Sequence, residues 1–196
     1  MIGIALLIYH AGNIVTDLKW RVTKNLWHLL FFMGGVMLSI QALRGVSVGE
    51  ILLFYALGVI LWFCIGIFLE TVVGMYSPGD TKMMLISALW LSSLAGIERY
   101  RESLVVYGLG IATSLLLAGA IAMTRQYGAK NVTRKIKYNL FFWIPVVLTN
   151  PMRLLNGLKR LRTRIRQERE NPQMIARNIP AAIPIAAGTF FALILM

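Results

Sequence analysis

Six runs of apolar residues separated by short polar stretches set the pattern of the chain, at residues 2–16, 26–43, 51–69, 81–97, 103–123 and 179–196. A hydrocarbon core about 30 Å thick takes about 20 helical residues to cross, and somewhat fewer where the end residues snorkel. The pattern therefore predicts an all-α polytopic membrane protein, a single domain over residues 1–196 with about six transmembrane helices. A further apolar stretch, YNLFFWIPVVLT at 138–149, is too short to span and is interrupted by Pro145, which predicts an interfacial or re-entrant segment. Next comes RLLNGLKRLRTRIRQERE, where Leu154, Leu158, Leu161 and Ile165 recur at helical spacing and Arg and Lys fill the other face. That is the pattern of a cationic amphipathic helix, and residues 124–178 are expected to form a basic cytoplasmic or interfacial segment.

Composition agrees with the pattern. The chain is 58% hydrophobic and 14% charged with a mean hydropathy of +0.69, outside the range of soluble globular domains. The net charge of +12 does not imply nucleic acid, because thirteen of the twenty Lys and Arg lie between Arg125 and Arg177 with no aromatic platform beside them. The expected partner of that segment is anionic inner-leaflet lipid, at about 1 kcal/mol per basic residue, with a protein docking surface as the other option. The only cysteine, Cys64, lies inside an apolar run and is expected to be a small lipid- or helix-facing residue, without disulfide or zinc pairing. The first run lacks a basic n-region and a small-residue cleavage site, so a retained anchor is expected.

Orientation follows from Lys and Arg near the span ends. The first connection carries Lys19, Arg21 and Lys24 and the fifth is the long basic segment. The second carries Arg44 alone, and the fourth offsets Arg99 and Arg101 with Glu98 and Glu102. Odd-numbered connections are thus expected on the cytoplasmic side and both termini outside. Asp17, closing the first run, and Asp80, opening the fourth, then share one depth at the cytoplasmic face.

These are the only two aspartates in 196 residues. Each has a plain structural explanation. Asp80 follows Pro78 and Gly79 and precedes an apolar run, as an N-cap would, and Asp17 balances Lys19 and Arg21. Held together they also have a chemical one. Two neighbouring carboxylates do not both ionise cheaply, so one serves as base towards water and the other as acid towards a scissile carbonyl. The dyad titrates as a unit, which leaves the two roles unassigned. Lys82 is expected to snorkel to the headgroups. His10 and His28 lie inside runs and are expected to be buried and hydrogen-bonded, there being no HExxH for a metalloprotease. Ser92 and Ser93 offer small surfaces for close helix packing.

Asp17-Leu18 followed eight residues after the Asp by Asn25, the string Gly79-Asp80-Thr81-Lys82, and Ile179-Pro180 leading to Gly188 together resemble the type IV prepilin peptidases, GxGD-type intramembrane aspartyl proteases. Thr23 and Lys24 stand where that family has Ile-Pro, and Ser77 stands where it has its first glycine. The resemblance implies Asp17 and Asp80 as the catalytic pair, with Gly79, Lys82 and Asn25 supporting. It implies no cofactor, a cytoplasmic-membrane location, and a prepilin-like substrate whose short basic leader is cut on the cytoplasmic side. Long members of the family also N-methylate their product using paired CxxC motifs; a chain with Cys64 alone is similar to the peptidase-only forms of tight-adherence pilus systems. Two other functions fit the residues: a small membrane transporter whose carboxylates carry protons or cap helices, and a non-catalytic secretion-system component.

Overall fold

The computed structural model describes residues 2–20, 25–73, 77–127, 156, 163 and 182–195, with residues 2, 17–20, 72, 73, 119, 122, 123 and 125–127 described by their backbone alone. Among them there is helix and no strand. Helix α1 is Ile2–Trp20 and α2 is Asn25–Ala42. Helix α3, Val48–Tyr55, passes through a π-helical turn at Ala56–Leu61 into α4, Trp62–Phe68, which ends in a second π turn, Leu69–Val73. Helix α5 is Pro78–Tyr127 and α6 is Ala182–Leu195. The expected basic segment at 124–178 lies, beyond Tyr127, outside the described residues save for 156 and 163, as does the interfacial stretch at 138–149.

The sequence separates its fourth and fifth runs by a polar connection at 98–102. The structure corrects this: helix resumes at Ile97, so Glu98, Arg99, Arg101 and Glu102 lie in the opening turns of a second limb. The break is a single residue, Gly96, with φ 70° and ψ 177°. That backbone region is open essentially to glycine alone. In a straight helix residues 84 and 107 would stand about 35 Å apart at 1.5 Å per residue, yet the Tyr107 hydroxyl donates to the Met84 carbonyl at 3.4 Å. The two limbs, 78–95 and 97–127, therefore run back along each other as a hairpin with a one-residue turn.

Contacts along the other helices fix their directions. Asn25 meets Lys82 and Phe31 meets Trp90, so α2 runs parallel to the first limb. Gly58 approaches Ser92 and Gly66 approaches Thr81, which places α3–α4 antiparallel to it. Tyr9 packs on Phe31 while Gly12 packs on Trp27, so α1 runs antiparallel to α2 and hence to the first limb, which it meets at His10 and Ser87. Helix α6 lies on the second limb with Gly188 against Gly110 and Ile111, while Arg99 reaches the Leu195 carbonyl at 3.4 Å. Two ends result. The proximal end gathers the close of α1 and α4 and the starts of α2 and α5; the distal end holds Gly96 and the start of α3, where Ser47 caps Glu50.

Burial is inverted relative to a water-soluble bundle. His10, Asn13, Ser39, Ser87 and Thr189 are buried to 2% exposure or less, while Leu26, Leu52 and Leu116 are each at least 67% exposed. Cys64 is exposed on this outer surface, Ser92 is buried against Gly58 of the neighbouring helix, as expected, and Ser93 is buried. Among the described residues three helices are long and apolar enough to cross a membrane, Asn25–Ala42, Val48–Thr71 and Pro78–Ala118, the last containing the hairpin. Between helices already surrounded by apolar solvent, association depends on close packing at small residues. A Cβ at Gly188 would stand 2.7 Å from Ile111 Cγ1 and 2.8 Å from the Tyr107 carbonyl, and one at Gly35 would stand 2.7 Å from Trp90 Cδ1.

Two glycine substitutions separate torsional from packing constraints. At Gly96 a Cβ meets nothing within 4 Å, so Gly96→Ala is expected to lose about 1–3 kcal/mol by backbone strain alone. Gly188→Ala is expected to lose a similar amount, about 1–3 kcal/mol, by overpacking. Unfolding of the purified chain in detergent reads both; a Gly96→Ala chain as stable as the parent would contradict the one-residue turn.

Candidate functional site

The opening turn of α5 is built by a reciprocal cap. The Ser77 carbonyl accepts the first helical hydrogen bond, from Thr81 N at 3.1 Å, which makes Ser77 the N-cap, Pro78 the first helical residue, Gly79 the second and Asp80 the third. Asp80 is therefore not the N-cap, as its position after Pro-Gly suggests in the sequence. Its Oδ2 instead accepts from Ser77 N at 2.8 Å and from Ser77 Oγ at 2.7 Å, while Asp80 N lies 3.4 Å from Ser77 Oγ. This is a capping box, with Asp in the place more often held by Glu or Gln. The same device, Ser47 with Glu50, opens α3 at the distal end. Asp80 differs from Glu50 in burial: it is 7% exposed, whereas Glu50 is exposed. Capping accounts for the residue type of Asp80 but a cap needs no burial.

Two further contacts tie the neighbouring helices to this turn. Thr81 Oγ1 donates to Glu70 Oε2 at 2.7 Å, and Gly66 leaves the space Thr81 occupies, since a Cβ there would stand 2.8 Å from Thr81 Cγ2. On the other side Lys82 Nζ donates to Asn25 Oδ1 at 2.8 Å. Asn25 and Lys82 are 57 positions apart, and the structure brings them together. Lys82 is exposed, as a snorkelling lysine is, but its ammonium is also a bridge between the starts of α2 and α5.

Asp17 lies in the last turn of α1; its side chain is outside what is described. Its backbone position can be compared with that of Asp80 through the nearest contact between the two helices, His10 Nε2 to Ser87 Oγ at 3.1 Å. Position 17 is seven residues after His10 and position 80 is seven residues before Ser87. In antiparallel helices both displacements lead about 10 Å towards the proximal end. Seven residues are also within about 20° of two full turns, so each position stays on the helical strip marked by its own partner in that contact.

A polar column continues from this level into the bundle. Asn13, fully buried, falls between His10 and Asp17 on α1 at spacings of three and four. Ser87 Oγ also donates to the Met83 carbonyl at 2.7 Å, and the Tyr9 hydroxyl lies 2.6 Å from His28 Nδ1. Both histidines are buried and hydrogen-bonded, as expected; each keeps a second ring nitrogen without a partner among the described residues. Rings of Tyr9, Trp27, Phe31 and Trp90 pack in series around them, with centroid separations of 4.6–6.4 Å. Beside this cluster a groove of about 550 Å³ runs between α2 and the first limb of α5, with Asn25, His28 and Lys82 among its polar lining and Leu29, Phe32 and Ile86 among its apolar walls. Among the described residues no three His, Cys, Asp or Glu side chains are grouped so as to hold a metal ion.

Asn13, Glu70 and Thr81 were not singled out by the sequence. The signal for Asn13 is its place in the series His10, Asn13, Asp17, and for Glu70 it is a lone acid near the end of an apolar run. The chain matches no protein-family model, no curated protein and no solved structure.

The cap is testable on its own. Ser77→Ala keeps the backbone donor to Asp80 but removes the hydroxyl, and is expected to cost about 1 kcal/mol of stability, whereas Ser77→Thr retains most of it. Thermal unfolding in detergent measures both, and equal losses for Ala and Thr would show that the hydroxyl does not carry the cap.

Proposed function

We propose that the chain is a six-span aspartyl endopeptidase of the cytoplasmic membrane, which removes the leader of a prepilin-like substrate at the cytoplasmic face. The observation that carries this is the register about the His10–Ser87 contact, from which positions 17 and 80 lie equally far along adjacent antiparallel helices. The α5 hairpin supports the span count, because one helix of Pro78–Tyr127 then supplies two passes. Charge supports the orientation. Arg44, Arg99 and Arg101 at the distal end are matched in number by Glu50, Glu98 and Glu102, while Lys19, Arg21, Lys24 and the basic segment all attach at the proximal end.

In this mechanism Asp17 and Asp80 share a proton. One carboxylate takes a proton from water as the water oxygen attacks the scissile carbonyl, and the other carboxylic acid protonates the carbonyl oxygen. The gem-diol then collapses, the first carboxyl giving its proton to the leaving nitrogen as the C–N bond breaks and the second recovering a proton from a diol hydroxyl. Ser77, donating twice to Oδ2, fixes the orientation of the Asp80 carboxylate. Thr81 and Lys82 hold α4 and α2 against the same turn.

Membranes containing the protein and a tagged prepilin are expected to yield the shortened product with wild type. Asp17→Asn and Asp80→Asn are each expected to lower the rate at least about 100-fold, the lower range for loss of an acid–base group, while inserting at wild-type levels. Full cleavage by either variant rules the mechanism out.

A second function, proton or ion transport, is favoured by the buried column of Asn13, His10 and Ser87 below Asp17 and Asp80. It predicts proton flux in liposomes that is lost in His10→Ala, with no cleavage by wild type.

A further inference from the structure

The groove between α2 and the first limb of α5 has a direction. Both helices start at the proximal end and run parallel, so Asn25 and Lys82 stand at its mouth and Phe32 and Ile86 line it farther in. From Asn25 to Phe32 is about 10 Å of helix. The mouth is cationic: one of the three donors of the Lys82 ammonium is used on Asn25 Oδ1. One turn further in is His28, only 3% exposed, with Nδ1 bonded to the Tyr9 hydroxyl and Nε2 buried and, among the described residues, without a partner. The walls between are Leu29, Phe32, Leu85 and Ile86. A volume of about 550 Å³ suits a single flexible chain. A helix 10–12 Å across fills it in little more than one turn.

We propose that this groove holds one anionic phospholipid of the surrounding leaflet, its phosphate on Lys82 and Asn25 and the start of one acyl chain along Leu29, Phe32 and Ile86, with the ester region between these two levels. The orientation is that of a lipid in the bilayer, polar head at the helix ends and tail along the helices. Leu26 and Leu29, 67% and 55% exposed, make the groove continuous with the outer apolar surface, so a lipid enters sideways. The site is separate from the basic segment at 124–178, and it stands whether or not the chain is a peptidase.

The test is native mass spectrometry of the full chain in detergent with equal amounts of palmitoyl-oleoyl phosphatidylglycerol and phosphatidylcholine. Wild type and Lys82→Arg are expected to retain one phosphatidylglycerol about tenfold over phosphatidylcholine, equivalent to about 1.4 kcal/mol. Lys82→Gln is expected to bring the two lipids near parity. Leu29→Trp, which fills the groove from an exposed position, is expected to lose the tightly held lipid of either kind. The basic segment is unchanged in all four proteins and supplies a constant background. A phosphatidylglycerol preference undiminished in both Lys82→Gln and Leu29→Trp assigns binding to that background and overturns the proposal, as does the absence of any preference in wild type. Because the readout is lipid retention, loss of the peptidase function in the cleavage assay leaves this result untouched, and the reverse also holds.

Discussion

The bundle depends on the first limb of α5 being buried on every side. From Ile86 to Ser93 each residue is buried, and Leu89, Ala88 and Leu91 are fully so. Around that stretch α2 contributes Gly34 and Gly35 to receive Trp90, α3–α4 contributes Gly58 to receive Ser92, and α1 contributes His10 to receive Ser87. Each partner offers either a missing side chain or a polar group, because apolar contact alone gains little between helices that are already in apolar surroundings. The Trp90 indole shows both requirements at once. Its ring lies over two glycines and its Nε1 donates to the Phe31 carbonyl at 2.6 Å.

The polar groups of the interior are arranged by the same requirement. A buried polar atom without a partner costs on the order of 1–3 kcal/mol, and most here are met within one helix or across one contact: Ser93 by the Leu89 carbonyl, Thr189 by the Ile185 carbonyl, Ser39 by Val36 and Tyr55. The exceptions among the described residues are the second nitrogens of His10 and His28, both amide atoms of Asn13, the Trp62 indole nitrogen and the Ser92 and Ser103 hydroxyls. Structural demand accounts for the first group. The exceptions mark where the interior carries more polarity than its packing needs.

Much of the architecture was legible from hydropathy, since five of the six apolar runs coincide with described helix over most of their length and the sixth ends in α6. The hairpin was not. Glu98, Arg99, Arg101 and Glu102 resemble a loop in sequence, yet they are the exposed opening turns of a helix whose only break is the uncharged Gly96. Around the candidate site, the resemblance names Asn25 and Lys82 as supporting residues, but nothing in the sequence pairs them, because their hydrogen bond joins the starts of two helices 57 positions apart. The role of Asp80 in its cap was misplaced by three positions, because Ser-Pro-Gly-Asp contains both an Asp after a turn and a Ser three residues before an acid. Only the position of the first helical hydrogen bond separates these. Glu70 escaped notice because a single acid has no periodicity, and its partner Thr81 is fixed by the approach of Gly66, a tertiary event.

A turn made by one residue also bears on how the chain is made. The limbs on either side of Gly96 share no connecting loop that would let one settle before the other, and Tyr107 must lie beside Met84 as soon as both are helical. In a membrane they would have to leave the translocation machinery together, as one paired unit. In the proposed orientation the tip that crosses carries Glu98, Arg99, Arg101 and Glu102, two charges of each sign and a net charge of zero. Such a tip places the smallest electrostatic load on the crossing while still anchoring the hairpin once it arrives in water.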